Sequence, residues 1–227
     1  ADNLQTVTRR IQKATLNAGR PPGSVCLLAV SKTRPASDLR AAYAAGQKAF
    51  GENYLQDALE KVDAMSDLPD LEWHFIGPVQ SNKTRQIAQA FHWVHSVDRL
   101  KIARRLSEQR TASAPPLNLC LQVNIDNEDS KAGCRLDEVP ALAQSILSLP
   151  HVNLRGLMAI PDPNQSETAL KSSFQALADS LSELQRRHPE SPGLDTLSMG
   201  MSGDLEIAID AGATWVRVGT AIFGARD

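Results

Sequence analysis

The sequence predicts a single (β/α)₈ barrel, an α/β fold, with one extra helix at its amino terminus. Eight short apolar runs alternate with segments of helical periodicity, and this alternation indicates parallel strands joined by helical crossovers. The chain has 227 residues, a length that suits eight such units closed into one barrel. We therefore expect residues 1–227 to form one domain.

The apolar runs are short and end in glycine, proline or polar residues, as strands buried on both faces do. In a parallel sheet such strands are covered by helices. The eight predicted strands cover residues 26–31, 48–51, 73–77, 93–96, 117–124, 154–160, 196–199 and 215–219.

Helical patterns separate these runs. The segment after the first strand is rich in alanine, has Ser37 and Asp38 near its start, and reaches Gly46, a residue that commonly ends helices. The helical patterns cover residues 4–18, 35–46, 81–90, 99–110, 136–149, 166–188 and 204–211.

Composition excludes several classes of partner. Lys and Arg total 24 against 26 Asp and Glu, so the chain has no net positive charge that would attract nucleic acid or an anionic membrane. No apolar stretch approaches the roughly 18 residues of a membrane span, and the amino terminus lacks the pattern of a signal peptide. Three scattered cysteines are too few for a disulfide framework. We expect a cytoplasmic protein with Cys26 and Cys120 buried in strands.

The carboxyl ends of barrel strands meet on one face, which carries the site. Lys32 is the most informative of these ends, because it follows six largely apolar residues and Pro35 stops the segment soon after it. The other ends are polar or rich in glycine. The strand ends together place at this face Lys32, Asn53, Gly77, Pro78, Ser96, Asn124, Met158, residues 199–203, Gly219 and Thr220.

The seventh and eighth ends predict an anion site. Ser202 precedes the predicted helix 204–211 as a candidate N-cap, so free N–H groups beside Ser202 and Gly203 would point at a ligand. Gly219 allows a ligand to approach the backbone, and Thr220 adds a hydroxyl donor. Barrels often bind phosphate at these two strand ends.

Arg217 completes the predicted site. Strand alternation places Arg217 on the face opposite Val216 and Val218, inside the barrel, where its N–H groups need acceptors. A lysine, an arginine and a phosphate site at one mouth fit pyridoxal phosphate. Lys32 would form the aldimine and Arg217 would face the pyridine nitrogen.

A family resemblance rests on seven motifs in the same order. They are VSKTRP, FGENY, WHFIGPVQSNK, the stretch 124–133, RGLMAIP, LSMGMSGDLE and VRVGTAIFGARD. Together they closely resemble the pyridoxal phosphate homeostasis proteins over essentially the whole chain. The resemblance implies a barrel like the N-terminal domain of alanine racemase, with a role in vitamin B6 balance and little or no turnover.

The resemblance also implies residue roles. Lys32 would hold the cofactor, Arg217 would meet the pyridine nitrogen, and Asn53 and Met158 would line the ring. The phosphate would lie against Ser202, Gly203, Gly219 and Thr220. Many bacterial members have a second lysine where this chain has Arg34, so this chain departs from the family pattern at that position and lacks that lysine for passing the cofactor on.

The chemistry of this set favours a cofactor holder over an enzyme. An arginine keeps its proton and leaves the pyridine nitrogen unprotonated, which weakens the ring as an electron sink. Racemisation also needs an acid/base group on each face of the substrate carbon. The only tyrosines, Tyr43 and Tyr54, fall on helix-like segments. We expect a monomer, with apo-enzymes that require pyridoxal phosphate as candidate partners.

Three alternatives stay open from the sequence. The first is a racemase-like enzyme that depends on pyridoxal phosphate. The second is an aldolase that uses Lys32 without a cofactor on a phosphorylated sugar. The third is an interaction protein whose barrel no longer has a ligand.

The remaining polar residues have plainer interpretations. Lys131 follows the fifth strand and could relay an aldehyde or be a surface charge. His92 and His95 lie three apart on a strand and point to opposite faces, so we predict no metal site. His74 alternates away from Trp73 and Phe75, so it could be a core histidine inside the barrel or lie near the cofactor, and we favour the core histidine.

Overall fold

The computed structural model describes residues 2–129 and 131–225. Eight parallel strands pair in the order β1-β2-β3-β4-β5-β6-β7-β8 and close into a barrel, because β8 pairs with β1. The predicted barrel is confirmed. The strands are β1 Cys26–Val30, β2 Ala49–Glu52, β3 Glu72–Phe75, β4 Trp93–Val97, β5 Leu117–Gln122, β6 Val152–Met158, β7 Thr196–Ser198 and β8 Trp215–Val218.

Helices surround the barrel, and the extra amino-terminal helix is confirmed. That helix, α1, packs against α8 and α9. A helix after β2, α3, adds to the helical ranges that the sequence indicated. The helices are α1 Asp2–Asn17, α2 Ala36–Ala44, α3 Leu55–Ala64, α4 Thr84–Ala90, α5 Leu100–Gln109, α6 Val139–Leu147, α7 Glu167–Arg187, α8 Leu205–Ala211 and α9 Thr220–Phe223.

The strands have two different faces. Outward side chains pack against helices, as where the rings of Phe75 and Phe91 meet edge to face at 5.2 Å. The inward face near the strand starts is aromatic: the His74 ring lies 5.4 Å from Trp93 and 4.7 Å from Trp215. His74 is fully buried, which confirms it as a core histidine. This aromatic layer occupies the inside of the barrel near the strand starts, at the end opposite Lys32.

The two strand cysteines differ. Cys120 is buried, as expected, and burial raises its pKa to about 12. The prediction for Cys26 is wrong, because this residue is exposed. Cys26 is the first residue of β1 and pairs with Trp215, whose ring lies inside the barrel, so Cys26 lies at the end of the barrel where the strands begin.

Among the helices of residues 2–129 and 131–225, none is long and apolar enough to cross a membrane.

Candidate functional site

The mouth of the barrel brings the predicted residues of β1, β2 and β8 together. β1 pairs with both β2 and β8, so Lys32 lies between Asn53 at the end of β2 and Gly219 at the end of β8. A Cβ on Gly219 would lie 3.3 Å from the Val30 carbonyl oxygen. This close approach puts the backbone before Thr220 directly beside the strand that carries Lys32.

A buried ion pair supports the residue before Lys32. Lys61 Nζ lies 2.9 and 3.1 Å from the two carboxylate oxygens of Glu52, and it donates to the Ser31 carbonyl at 2.7 Å. Ser31 Oγ also donates to Glu52. The side chains of Lys61 and Glu52 are 5% and 0% exposed. Burial raises the pKa of Glu52, although the hydrogen bonds from Ser31 and Lys61 oppose that rise.

The residue after Lys32 is held by the same cluster. Asp57 Oδ2 lies 3.0 Å from Lys61 Nζ and accepts the Thr33 N–H at 3.3 Å. Thr33 has a φ of 63°, in the left-handed region that β-branched residues avoid. The cluster of Glu52, Asp57 and Lys61 therefore fixes both neighbours of Lys32.

Arg34 ties the same loop to the end of α9. Its guanidinium donates to the carbonyls of Phe223, at 3.4 Å, and Gly224. It also lies over the Phe223 ring, 5.7 Å from the centroid. Arg34 thus acts as a bridge from the lysine loop to the helix that begins at Thr220.

The loop between β7 and α8 corrects one detail of the prediction. Ser202 is not the N-cap of α8, because the helix begins at Leu205 after Asp204. The Asp204 carboxylate instead accepts the Met201 N–H at 2.8 Å and closes the loop. Within the described ranges the N–H groups of Ser202 and Gly203 find no acceptor in the chain. They remain free to donate to a ligand.

The amino-terminal helix anchors this loop. Arg10 on α1 donates to the Ser202 carbonyl at 2.6 Å and forms a two-point ion pair with Glu206. The hydrogen bond from Arg10 lowers the pKa of Glu206. At the neighbouring strand end, Thr220 opens α9 and is exposed. Because the first N–H groups of a helix have no intrahelical acceptor, Thr220 offers a second donor.

Arg217 lies inside the barrel, as predicted from strand alternation. It is 4% exposed and donates to Ser198 Oγ at 2.6 Å and to the Ala159 carbonyl at 3.0 Å. Burial lowers its pKa to about 10, while Asp204 and Cys120 act in the opposite direction. Two of its five N–H donors are thus used by these contacts.

Asn53 and Met158 occupy different depths. The Oδ1 atom of Asn53 is buried without a hydrogen-bond partner among the described residues, a costly state that a ligand donor would relieve. A Cβ on Gly77 would lie 2.1 Å from the Asn53 carbonyl oxygen, so glycine is required there. Met158 is fully buried against Trp93 and Cys120, deeper in the barrel than Asn53.

A cavity of about 320 Å³ opens beside Asn53. Lys131 lies on its wall, 3.8 Å from Asp126 and 3.6 Å from Glu128, so its charge is partly matched. A groove of about 750 Å³ lies elsewhere, between α1 and the start of β1, away from the strand ends. The smaller cavity is lined by Asn53, Ile76, Pro78, Gln122, Val123, Asn124, Lys131, Ala132 and Ile160.

Sequence reasoning missed the buried polar residues that support the site. From the sequence, Lys61 resembles a solvent-facing lysine, and Glu52 follows the predicted strand 48–51, whereas in the structure it is the last residue of β2. His95 and Ser198 come close to Arg217 only because the register of the barrel places their strands side by side or across from one another. The one available signal was a carboxylate in the FGENY motif at a position that should face a packed layer.

Sequence comparison finds a matching family profile and similar named proteins over essentially the whole chain. The profile described as "Alanine racemase, N-terminal domain" matches residues 3–227. A protein of Pseudomonas aeruginosa named pyridoxal phosphate homeostasis protein is 60% identical over 227 residues, which are 100% of this chain and 96% of that protein. An Escherichia coli protein of the same name is 49% identical over 229 residues, covering 100% of this chain and 97% of the other.

Structure comparison gives a similar result. PipY of Synechococcus elongatus, solved with pyridoxal phosphate bound, superposes with a TM-score of 0.81 at 39% identity. The match covers 94% of this chain and 100% of PipY.

Proposed function

Because the chain belongs to the family of pyridoxal phosphate homeostasis proteins, we propose that it binds pyridoxal phosphate and serves intracellular vitamin B6 balance. Lys32 holds the cofactor through a Schiff base, in which Nζ condenses with the aldehyde carbon and releases one water. The protein acts as a holder of the cofactor with little or no turnover.

One observation carries this proposal. Lys32, the buried Arg217 and two strand ends with free N–H groups share one barrel mouth. Each matches a different part of pyridoxal phosphate: an amine for the aldehyde, a donor for the ring nitrogen and backbone donors for the phosphate. The unpartnered Oδ1 of Asn53 indicates that a polar ligand completes the site.

The phosphate group is bound by the ends of β7 and β8. Ser202 and Gly203 offer free N–H groups from one loop, and Gly219 with Thr220 offers backbone and hydroxyl donors from the next. Asn53 contacts the ring near the mouth, and Met158 supports it from below. The chemistry that the cofactor supplies when bound is reversible capture of amines at its aldehyde.

The surroundings of Arg217 oppose catalysis. Arg217 stays charged and donates to the ring nitrogen, so that nitrogen remains unprotonated and the ring is a weak electron sink. The second acid/base group of a racemase is also hard to find. Tyr43 donates to Asp70 on the outer face, which raises the pKa of Tyr43, and Tyr54, the N-cap residue of α3 next to Asn53, is 54% exposed to solvent.

The wider context is part of the same proposal. We place the protein in the cytoplasm as a monomer of one domain, residues 1–227. Its partners are apo-enzymes that require pyridoxal phosphate, to which the cofactor passes from Lys32. The exposed mouth, where the cofactor is held by reversible bonds, supports such a transfer.

A titration of the purified apo-protein with pyridoxal phosphate tests the proposal. The wild type should gain visible absorption at one equivalent, and Lys32→Ala should not. Lys83→Ala is the matched control, because Lys83 is an exposed lysine that follows β3 at the same face; it should titrate like the wild type.

The same sample separates holder from enzyme. The loaded protein should activate an apo-enzyme while exchanging the α-protons of amino acids into deuterated water only negligibly. Rapid exchange would favour a racemase-like enzyme. A wild type that never takes up the cofactor would overturn the proposal.

A further inference from the structure

A chain of hydrogen bonds runs inside the barrel from the mouth to the opposite end. Arg217 lies 2.6 Å from Ser198 Oγ, which lies 2.7 Å from His95 Nδ1. His95 Nε2 lies 2.8 Å from His74 Nδ1. The last contact joins His74 Nε2 to Glu72 Oε1 at 2.6 Å. Glu72 is the first residue of β3, so the chain spans the barrel from one end to the other.

The chain has one internally consistent direction. Arg217 can only donate, so Ser198 Oγ accepts from it, and in this direction the serine hydroxyl donates its own proton to His95 Nδ1. His95 then carries its proton on Nε2 and donates it to His74 Nδ1. His74 in turn donates from Nε2 to the carboxylate of Glu72. Both imidazoles are neutral in this arrangement, and each donor has an acceptor.

The reverse direction is unfavourable at the far end. It would place the His74 proton on Nδ1, so Nε2 would need a donor from Glu72. Glu72 could donate only as a protonated acid, and the hydrogen bond with His74 lowers the pKa of Glu72. A charged His74 is opposed by burial, which lowers the pKa of that ring.

Packing fixes the rings in this geometry. His74 stacks on Trp93 at an interplanar angle of 10° and meets Trp215 at 60°. His74, His95 and Ser198 are all 0% exposed, whereas the Glu72 side chain is 41% exposed. The other charged or titratable groups that act on members of this chain of hydrogen bonds are Cys120, Asp204, His92 and Arg155, and the Glu72 carboxylate acts in turn on Cys26.

The buried Arg217 needs such a chain. Its two side-chain contacts are with uncharged oxygens, one of them Ser198 Oγ, and a buried charge is costly without compensation. Aligned hydrogen bonds polarise one another in a medium of low dielectric. The Glu72 carboxylate can therefore stabilise the distant guanidinium through the intervening dipoles of His74 and His95.

We propose that Glu72, His74, His95 and Ser198 form a one-way hydrogen-bond relay that orients Arg217 and stabilises its charge at the mouth. They are positioning residues. The hydrogen bonds of the relay lie within the protein and need no ligand. Their effect on bound pyridoxal phosphate rests on the proposed function.

Nitrogen NMR of the apo-protein tests the relay without any cofactor. With ¹⁵N-histidine labelling, His74 and His95 should both be neutral and protonated on Nε2 at pH 7. A proton on Nδ1 of His95, or a charged His74 at pH 7, would overturn the proposal.

A remote substitution tests the effect at the mouth. Glu72→Gln removes the charge at the far end and keeps the shape; it should weaken pyridoxal phosphate binding about tenfold and shift the absorption of the bound cofactor. The matched control is Glu190→Gln, which removes an exposed carboxylate paired with His188; this variant should bind within about twofold of the wild type.

The outcomes separate the two proposals. Unchanged affinity and spectrum in a folded Glu72→Gln protein would overturn the positioning role, whatever the tautomers. If the wild type binds no pyridoxal phosphate, the proposed function fails, and the NMR result alone decides the relay.

Discussion

The two sides of the barrel mouth are stabilised by different interactions. The side that carries Lys32 is supported by buried charges, with Lys61 and Glu52 packed behind the loop. The side with the anion donors is shaped by backbone geometry, and its main side-chain support is the partly exposed Arg10 at the Ser202 carbonyl.

The difference follows from what each side must hold. A lysine that binds a ligand covalently must point in one direction, and the buried ion cluster holds the backbone on both sides of Lys32 in place. An anion needs several N–H groups at once, which a loop supplies from its backbone. Removing a charge should therefore destabilise the lysine side, whereas changing a backbone conformation should destabilise the anion side.

The largest expected effect is on the lysine side. Lys61→Met leaves the fully buried Glu52 without its cation, which should cost about 3–5 kcal/mol of unfolding free energy. Urea unfolding at pH 7 measures this loss. Lys48→Met, in the exposed Lys48–Asp70 pair, is the control and should leave the unfolding free energy nearly unchanged.

The same variant should depend on pH. Burial raises the pKa of Glu52 in the folded protein, and loss of Lys61 raises it further. Since the folded state then holds the proton of Glu52 more tightly than the unfolded state, the contribution of this group to stability should be fully present below the ordinary pKa of glutamate and be lost as pH rises through the folded pKa. A cost for Lys61→Met that grows on acidification would contradict this account.

A smaller effect is expected on the anion side. Gly200 has a φ of 104°, and a Cβ there would lie 2.7 Å from Ala208 Cβ. Gly200→Ala should therefore lower the unfolding free energy by about 2 kcal/mol. Gly193→Ala is the control, because a Cβ there meets nothing within 4 Å. Equal stability of the two variants would show that the loop does not depend on this backbone conformation.

The smallest effect concerns Arg10. Its ion pair with Glu206 is partly exposed, so Arg10→Met should cost only about 0.5–1 kcal/mol of stability. It should nevertheless weaken pyridoxal phosphate binding, because the loop of Ser202 loses its anchor. Arg40→Met, on the outer Arg40–Asp67 pair, serves as the comparison in the same titration and should bind as the wild type does.

The fold could be predicted because its signals are local. Apolar runs, helix periods and glycine stops mark each unit along the chain, and a parallel barrel brings all the strand ends to one face. Lys32, Asn53, Gly219 and Thr220 follow from that rule alone. Arg217 follows from alternation along one strand.

The supports could not be predicted, since they depend on contacts between distant segments. Lys61 lies on a helix, and nothing in the local pattern shows that it points inward to Glu52. The meeting of His74 with His95 depends on the stagger of β3 and β4. The error at Ser202 has a local cause: Ser202 and Asp204 are both good N-cap residues, and the loop uses Asp204 to close on Met201.

The most direct test of the central claim is reduction with borohydride followed by peptide mapping. The wild type loaded with pyridoxal phosphate and reduced should carry one pyridoxyl group, and it should map to the peptide that contains Lys32. Label spread over several exposed lysines, or label on Lys32→Ala equal to that on the wild type, would contradict the account.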